Sequence, residues 1–123
     1  MTARGPRAGD IILAGFPERD PRGHEQEGIR PALILAVSSK ARFPIVITAP
    51  MTTDRGQPWA KAAPGIYIPL VQGSGGLPAD STLLLDQTRS LDASRVRRFL
   101  GSLDGKAFEE ILAKWIALFR ARK

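Results

Sequence analysis

The sequence predicts a mainly β domain that ends in a single helix. Short apolar runs, separated by proline, glycine and charged residues, are typical of short strands. One long amphipathic pattern near the C-terminus is typical of a helix. Five to seven strands followed by one helix form a small, strongly bent sheet or a partly closed barrel, which buries one face under the helix.

The length and composition narrow the class of protein. A chain of 123 residues suits one domain, so we expect a single domain over residues 1–123, with residues 1–8 as a flexible leader. Lysine and arginine exceed aspartate and glutamate by 18 − 12 = 6, which favours nucleic acid or an acidic protein as partner. The lack of cysteine fits a reducing cytoplasm. No run suits a signal peptide or a membrane span, so we expect no membrane association.

Six strands are predicted, at Ile11–Phe16, Ala32–Val37, Pro44–Ala49, Ile66–Leu70, Thr82–Leu85 and Val96–Leu100. Thr88–Leu91 could pair with them as a further short strand. The second is almost continuously apolar, which indicates that both of its faces are covered. Arg30-Pro31 opens it, since proline fits the first residue of a strand or an edge. The third is rich in β-branched residues, and polar residues from Pro50 to Gly56 mark its exit.

The connections are predicted from their turn residues. Pro17–Ile29 is a long charged loop, and loops of that length tend to be functional or disordered. Gln57–Pro64 is predicted to be an irregular loop, and Gly73–Gly76 a flexible connection. Asp86 and Gln87 directly follow the last residue of the fifth predicted strand.

The C-terminal helix is predicted from about Gly105 to Ala121, with Asp104 as its N-cap. Its apolar stripe consists of Phe108, Ile111, Leu112, Trp115, Leu118 and Phe119. Such a stripe is typical of a helix that packs on a sheet, so we interpret Trp115 as core.

The candidate chemistry lies where three strand ends are predicted to converge. These are the loop with His24 and Glu25 that leads to Arg30, the exit at Thr52, and the exit at Asp86. The ribose 2′-OH of RNA can attack its own phosphate, so an enzyme needs only to move protons and stabilise the phosphorane. Arg30 suits the phosphorane and Thr52 could add a hydrogen bond, while His24, Glu25 and Asp86 are candidates for proton transfer.

Each candidate also has a structural interpretation. His24 could be an ordinary solvated side chain, and Arg30 an edge cation paired with Glu25 or Glu27. Thr52 could close a turn, and Asp86 could cap backbone amides. Trp59 could stack on a base or belong to a hydrophobic interface, and the glycines at 73–76 are a weak signal of a phosphate loop.

Four motifs together closely resemble the MazF/PemK family of toxin endoribonucleases, its PemK or Kid branch in particular. In family order they are Gly9-Asp10-Ile11, Gly23-His24-Glu25-Gln26-Glu27-Gly28-Ile29-Arg30-Pro31-Ala32-Leu33, Pro50-Met51-Thr52-Thr53 and Asp86-Gln87-Thr88-Arg89-Ser90-Leu91-Asp92. The second motif is the specific one, and the resemblance runs from about Gly9 to the terminal helix.

The resemblance implies an SH3-like barrel of the MazF/PemK/CcdB type that forms a homodimer in the cytoplasm. It also implies cleavage of single-stranded RNA (mRNA) at a short sequence, without metal or other cofactor, to leave a 2′,3′-cyclic phosphate and a 5′-OH. The implied partner is a cognate antitoxin with an acidic, disordered tail. The family's catalytic positions fall on Arg30, Thr52, His24, Glu25 and Asp86. RNA contacts are expected from Gln26, Thr53, Gln87, Arg89 and Trp59.

Two features depart from the family pattern, and two other functions compete with cleavage. Glu18–Arg22 adds charge to the first loop, and Leu84 stands where the PemK branch has an arginine. One alternative is a non-catalytic barrel that binds antitoxin or nucleic acid. Another is a gyrase poison of the CcdB type, although that resemblance centres on a C-terminal Trp-Gly-Ile and this sequence ends Arg120-Ala121-Arg122-Lys123.

Overall fold

The computed structural model describes residues 5–18, 28–38 and 44–120. The strands in these ranges are β1 (Asp10–Phe16), β2 (Gly28–Ser38), β3 (Ile45–Thr53), β4 (Tyr67–Leu70), β5 (Ser81–Leu84), β6 (Arg89–Asp92) and β7 (Val96–Ser102). The helices are α1 (Pro58–Lys61) and α2 (Gly105–Leu118), and short 3-10 turns lie at Ser74–Gly76, Leu85–Gln87 and Ala93–Arg95. The predicted mainly β fold with a C-terminal helix is confirmed.

The strands form one bent antiparallel sheet in the order β4-β5-β3-β2-β1-β7, with β6 paired to β3. β3 is central because it pairs with β2 along one edge and with β6 and then β5 along the other. Among the described residues β4 and β7 do not pair with each other, so the sheet is open rather than a closed barrel.

Two apolar clusters cover the two faces of the sheet. Because side chains alternate along a strand, Ile11 and Leu33 lie in the cluster under α2, while Ile12 and Ala32 lie in the other. This double coverage explains why the middle of β2, Ala32–Leu35, is buried throughout. The prediction of two covered faces extended to Val37 and is wrong there, since Val37 is 43% exposed.

Helix α2 begins at the predicted N-cap, where Oδ1 of Asp104 accepts a hydrogen bond from the Ala107 amide at 2.9 Å. Ile111 is its most buried residue, and Phe108, Trp115 and Leu118 pack against the same cluster. The helix ends at Leu118, short of the predicted Ala121. Phe119 is 57% exposed, so its predicted place in the buried stripe is wrong.

A short polar chain links α2 to the sheet. The Trp115 indole donates a hydrogen bond to Oγ1 of Thr88 at 3.1 Å, and the Thr88 hydroxyl donates to the Leu85 carbonyl at 2.7 Å. The helix is thereby connected to the turn that carries Asp86 and Gln87.

Neither helix of the described ranges has the length and apolar character needed to cross a membrane.

Three local predictions differ from the structure. Thr52 and Thr53 lie within β3 rather than after it, because they pair with Thr82 and Ser81 of β5. Pro31 lies inside β2, where the pairing with β3 begins only at Ala32–Pro50, so its missing N–H costs no bond to β3. The predicted loop at 57–64 contains α1, with Pro58 in its first turn.

The glycine run at 73–76 serves close packing of two backbones. A Cβ at Gly76 would overlap the Leu100 carbonyl oxygen, and one at Gly101 would lie 2.5 Å from the Gly75 oxygen. The run therefore seats the 3-10 turn against β7, and this contact explains its composition without a bound phosphate.

Candidate active site

One cavity of about 450 Å³ lies at the open ends of β2 and β3, and we call it the Arg30 cavity. Its lining residues are Leu13, Ile29, Arg30, Pro31, Met51, Thr52, Thr53, Arg55, Pro78, Ala79 and Ser81. Arg30 comes from β2, and Thr52 and Thr53 come from β3. Two of the three predicted strand ends therefore meet at one site.

The cavity exists because β2 and β3 separate before their ends. Among the described residues their pairing begins at Ala32–Pro50, while Arg30 still pairs with Ala14 of β1 and Thr52 pairs with Thr82 of β5. Arg30 and Thr52 thus lie on two strands that are held by different neighbours. The backbone of each residue is fixed by its own ladder, which makes the site rigid.

The charge of the cavity favours an anion. Arg30 and Arg55 contribute two guanidinium groups, and Thr52 and Thr53 contribute hydroxyls. The Ser81 hydroxyl donates to the Ala79 carbonyl at 2.9 Å and is therefore not an available donor. No aspartate or glutamate lines this cavity within residues 5–18, 28–38 and 44–120. Guanidinium groups and hydroxyls are the donors that phosphate oxygens prefer, so the donor set suits a phosphodiester.

A tightly bonded loop follows β3 and carries Arg55. Gln57 donates from Nε2 to the Thr53 carbonyl at 3.1 Å, and its Oε1 accepts from the Arg55 amide at 2.9 Å. The Gly56 amide donates to Oδ1 of Asp54 at 2.8 Å, and Gly56 has φ 71°, a conformation that glycine adopts without strain. The loop therefore holds the Arg55 backbone in one place.

Asp86 is exposed and takes part in a second group of side chains. The Tyr67 hydroxyl donates to Oδ2 of Asp86 at 2.6 Å. This hydrogen bond, together with partial burial and the negative charge of Asp86, raises the pKa of Tyr67 above its usual value of 10.0. Trp59 meets the Tyr67 ring edge to face, with centroids 4.9 Å apart.

This second group lies on the same sheet face as Thr52. Residues directly opposite in a ladder share a face, so Thr52, Thr82 and Pro69 lie in one row across β3, β5 and β4. Tyr67 is two residues from Pro69 on β4 and hence on that face. Asp86 is not among the lining residues of the Arg30 cavity. Its hydrogen-bond partner, Tyr67, lies on the same sheet face as Thr52, which does line that cavity.

The other predicted residues have different positions. Arg89 is partly buried, and its guanidinium carbon lies 5.8 Å from the centre of the Phe16 ring. Gln87 ends the 3-10 turn after β5, and Trp59 is 47% exposed on α1. The predicted His24, Glu25 and Gln26 lie outside the described residues.

The described residues contain no group of three or more histidine, cysteine, aspartate or glutamate side chains that could hold a metal ion.

Sequence reasoning assigned no role to Arg55, Ser81 or Tyr67. Arg55 was visible as a cation three residues after Thr52, at the polar exit of β3. Tyr67 was visible as the single tyrosine of the chain. Ser81 gave no signal, because its position depends on the pairing of β5 with β3.

The profile of one protein family, described as PemK-like, MazF-like toxin of type II toxin-antitoxin system, matches residues 7–119. A curated relative, Endoribonuclease MazF of Staphylococcus saprophyticus, is 32% identical over 106 residues, which are 85% of this chain and 83% of the relative.

Solved structures agree with this match. A crystal structure of MazF from Deinococcus radiodurans is similar with a TM-score of 0.66 and 26% identity, covering 94% of this chain and 96% of that one. A MazE–MazF structure from the same organism is similar with a TM-score of 0.60, the same identity and the same coverage.

Proposed function

Because this chain belongs to the family of PemK-like, MazF-like toxins of type II toxin–antitoxin systems, we propose that it is an endoribonuclease that cuts single-stranded RNA in the Arg30 cavity. The observation that carries the proposal is that Arg30 and Thr52, from two different strands, line one cavity together with Arg55. The relative from Staphylococcus saprophyticus, named as an endoribonuclease, supports the same reaction.

The reaction uses the RNA's own nucleophile. The ribose 2′ oxygen forms a bond to the adjacent phosphorus and gives up its proton, and the bond from phosphorus to the 5′ oxygen breaks as that oxygen takes a proton. The products are a 2′,3′-cyclic phosphate and a 5′-OH. The balance needs no oxidant, hydrolytic water or metal ion.

Arg30 and Thr52 stabilise the phosphorane. The Arg30 guanidinium donates to its non-bridging oxygens, where negative charge increases as the new bond forms. The Thr52 hydroxyl donates to the same oxygens. The groups that accept and return protons are drawn from His24, Glu25 and Asp86, the three candidates that the family resemblance implies. RNA contacts by Gln26, Thr53, Gln87, Arg89 and Trp59 belong to the same proposal.

The partners of this protein follow from the same family. We propose that the protein is a homodimer located in the cytoplasm. Each subunit is one domain over residues 1–123, in which residues 1–8 form a flexible leader. A cognate antitoxin with an acidic, disordered tail would inhibit it by occupying the basic cavity that otherwise receives RNA. The MazE–MazF structure from Deinococcus radiodurans supports such a complex.

The test incubates the purified protein with a long single-stranded RNA in EDTA, and maps cut positions and end chemistry. Arg30→Ala is the test variant, and Arg120→Ala, which removes an exposed arginine beyond α2, is the control. We expect specific cuts with cyclic phosphate ends in wild type and Arg120→Ala, and their loss in Arg30→Ala. Intact RNA with a folded wild type would contradict cleavage and favour a non-catalytic binding barrel.

A further inference from the structure

We propose that the Arg30 cavity holds two consecutive phosphates of the RNA, and that Arg55 binds the phosphodiester next to the scissile one. The inference rests on the proposed function in taking RNA as the ligand. It adds a binding residue and a substrate requirement, since a single nucleotide would leave Arg55 without its phosphate.

The size and the donors of the cavity support two phosphates. A volume of about 450 Å³ is much larger than one phosphate group, and the cavity contains two guanidinium groups rather than one. The two positively charged guanidinium groups repel each other because they line the same cavity. An anion bound between them, or one anion beside each, lowers this electrostatic energy. The apolar Leu13, Ile29 and Pro31 leave room for a ribose between the phosphates.

The position of Arg55 is built rather than incidental. Its amide is bound by Gln57, and Gln57 in turn holds the end of β3 through the Thr53 carbonyl. The preceding Asp54 donates its amide to the Asp80 carbonyl at 3.0 Å, which fixes the loop to the chain entering β5. Because the backbone of this loop is already fixed, binding through Arg55 does not have to order the loop, which favours a defined phosphate contact.

The test measures binding of an RNA oligonucleotide that carries a 2′-deoxyribose at the mapped cut site and is therefore not cleaved. Fluorescence anisotropy compares wild type with Arg55→Ala, Arg55→Lys and the control Arg120→Ala. Each phosphate next to the scissile one is replaced in turn by a neutral methylphosphonate. The arginine and the phosphate charge are thus removed singly and together.

We expect Arg55→Ala to raise Kd about tenfold, or about 1.4 kcal/mol, on the unmodified RNA. It should have little effect on the RNA in which one neighbouring phosphate is neutral. The slope of log K against log salt should fall by about 0.7 in Arg55→Ala, as for one lost phosphate contact to a single strand. Arg55→Lys should keep most of this slope, and Arg120→Ala all of it.

Two results would overturn the inference. One is an equal loss of affinity by Arg55→Ala on the unmodified RNA and on both methylphosphonate RNAs. The other is a salt slope that Arg55→Ala leaves unchanged. Cleavage by wild type tests the proposed function separately. If wild type binds RNA without cutting it, the cleavage proposal fails, and the salt slopes on that RNA still decide the role of Arg55.

Discussion

The Tyr67 hydroxyl and the Asp86 carboxylate form a hydrogen bond of 2.6 Å that joins β4 to the turn after β5. Asp86 is one of the two carboxylates, with Glu25, that the family resemblance makes candidates for proton transfer. The bond therefore gives this candidate group a defined neighbour on the sheet face that also carries Thr52.

This bond predicts an observable titration, because Tyr67 is the only tyrosine of the chain. Asp86 raises the pKa of Tyr67, so tyrosinate absorbance should develop above the usual pH of 10.0. Asp86→Asn should move the transition down towards that value. Alkaline spectrophotometric titration measures both, and an unchanged transition in Asp86→Asn would contradict the contact.

The same shift links Tyr67 to stability at high pH. The folded state holds the tyrosine proton more tightly than the unfolded chain does. The contribution is therefore fully present below pH 10.0 and is lost as the pH rises through the raised pKa. Urea unfolding of wild type and Tyr67→Phe should show a stability difference that narrows over that range, whereas a constant difference would argue against the linkage.

Substitutions of Thr52 test whether its hydroxyl contributes to cleavage in the Arg30 cavity. Thr52→Val keeps the side-chain shape and removes the donor, so we expect cleavage to fall by about 100-fold, as for one lost donor to a developing oxyanion. Thr52→Ser should stay within about tenfold of wild type. Initial rates on a defined RNA, with urea unfolding as the folding control, measure both, and equal rates for valine and serine would exclude a role for the hydroxyl.

Gly76 and Gly73 form a matched pair for the contact with β7. Both have positive φ, but only at Gly76 would a Cβ meet the Leu100 backbone. Gly73→Ala should cost about 1 kcal/mol from backbone strain, and Gly76→Ala at least about 2 kcal/mol more. Urea unfolding compares the two variants. Equal losses would mean that the close approach is unimportant for stability.

Asp10 ties the start of β1 to the end of β7. The Ser102 hydroxyl donates to Oδ1 of Asp10 at 2.8 Å, and the Arg7 amide donates to Oδ2 at 2.9 Å. Since Asp10 is 2% exposed, Ser102→Ala should lower the free energy of unfolding by about 1–2 kcal/mol. The exposed Ser90→Ala is the control and should change it by less than about 0.5 kcal/mol.

Local signals predicted the local elements of the fold. The capping contact of Asp104 and the apolar spacing of Ile111 and Trp115 depend on residues within one helix, and both were confirmed. Asp92 likewise caps the turn before β7, accepting from the Ser94 amide at 2.9 Å. Helix α1 was missed because four residues are too few to show an apolar period.

Predicting the candidate site was harder than predicting the helix, because the site depends on pairings between segments that are distant in sequence. Arg30 and Thr52 could be predicted to meet, since each lies near the end of a recognisable strand. Thr52 was placed outside its strand because the partner that extends β3, Thr82 of β5, lies 30 residues later. Tyr67 and Asp86 are 19 residues apart, and no local pattern indicates their contact.

The pairing of β1 with β7 also has a consequence for the newly made chain. β1 ends at Phe16 and β7 begins at Val96, 80 residues later. At a synthesis rate of about 5–20 residues per second, β1 waits between about 4 and 16 s on the ribosome before its second neighbour exists. The Asp10–Ser102 bond forms later still. One edge of β1 therefore stays unpaired in a partial chain, and a nascent toxin stays incomplete until translation has passed β7.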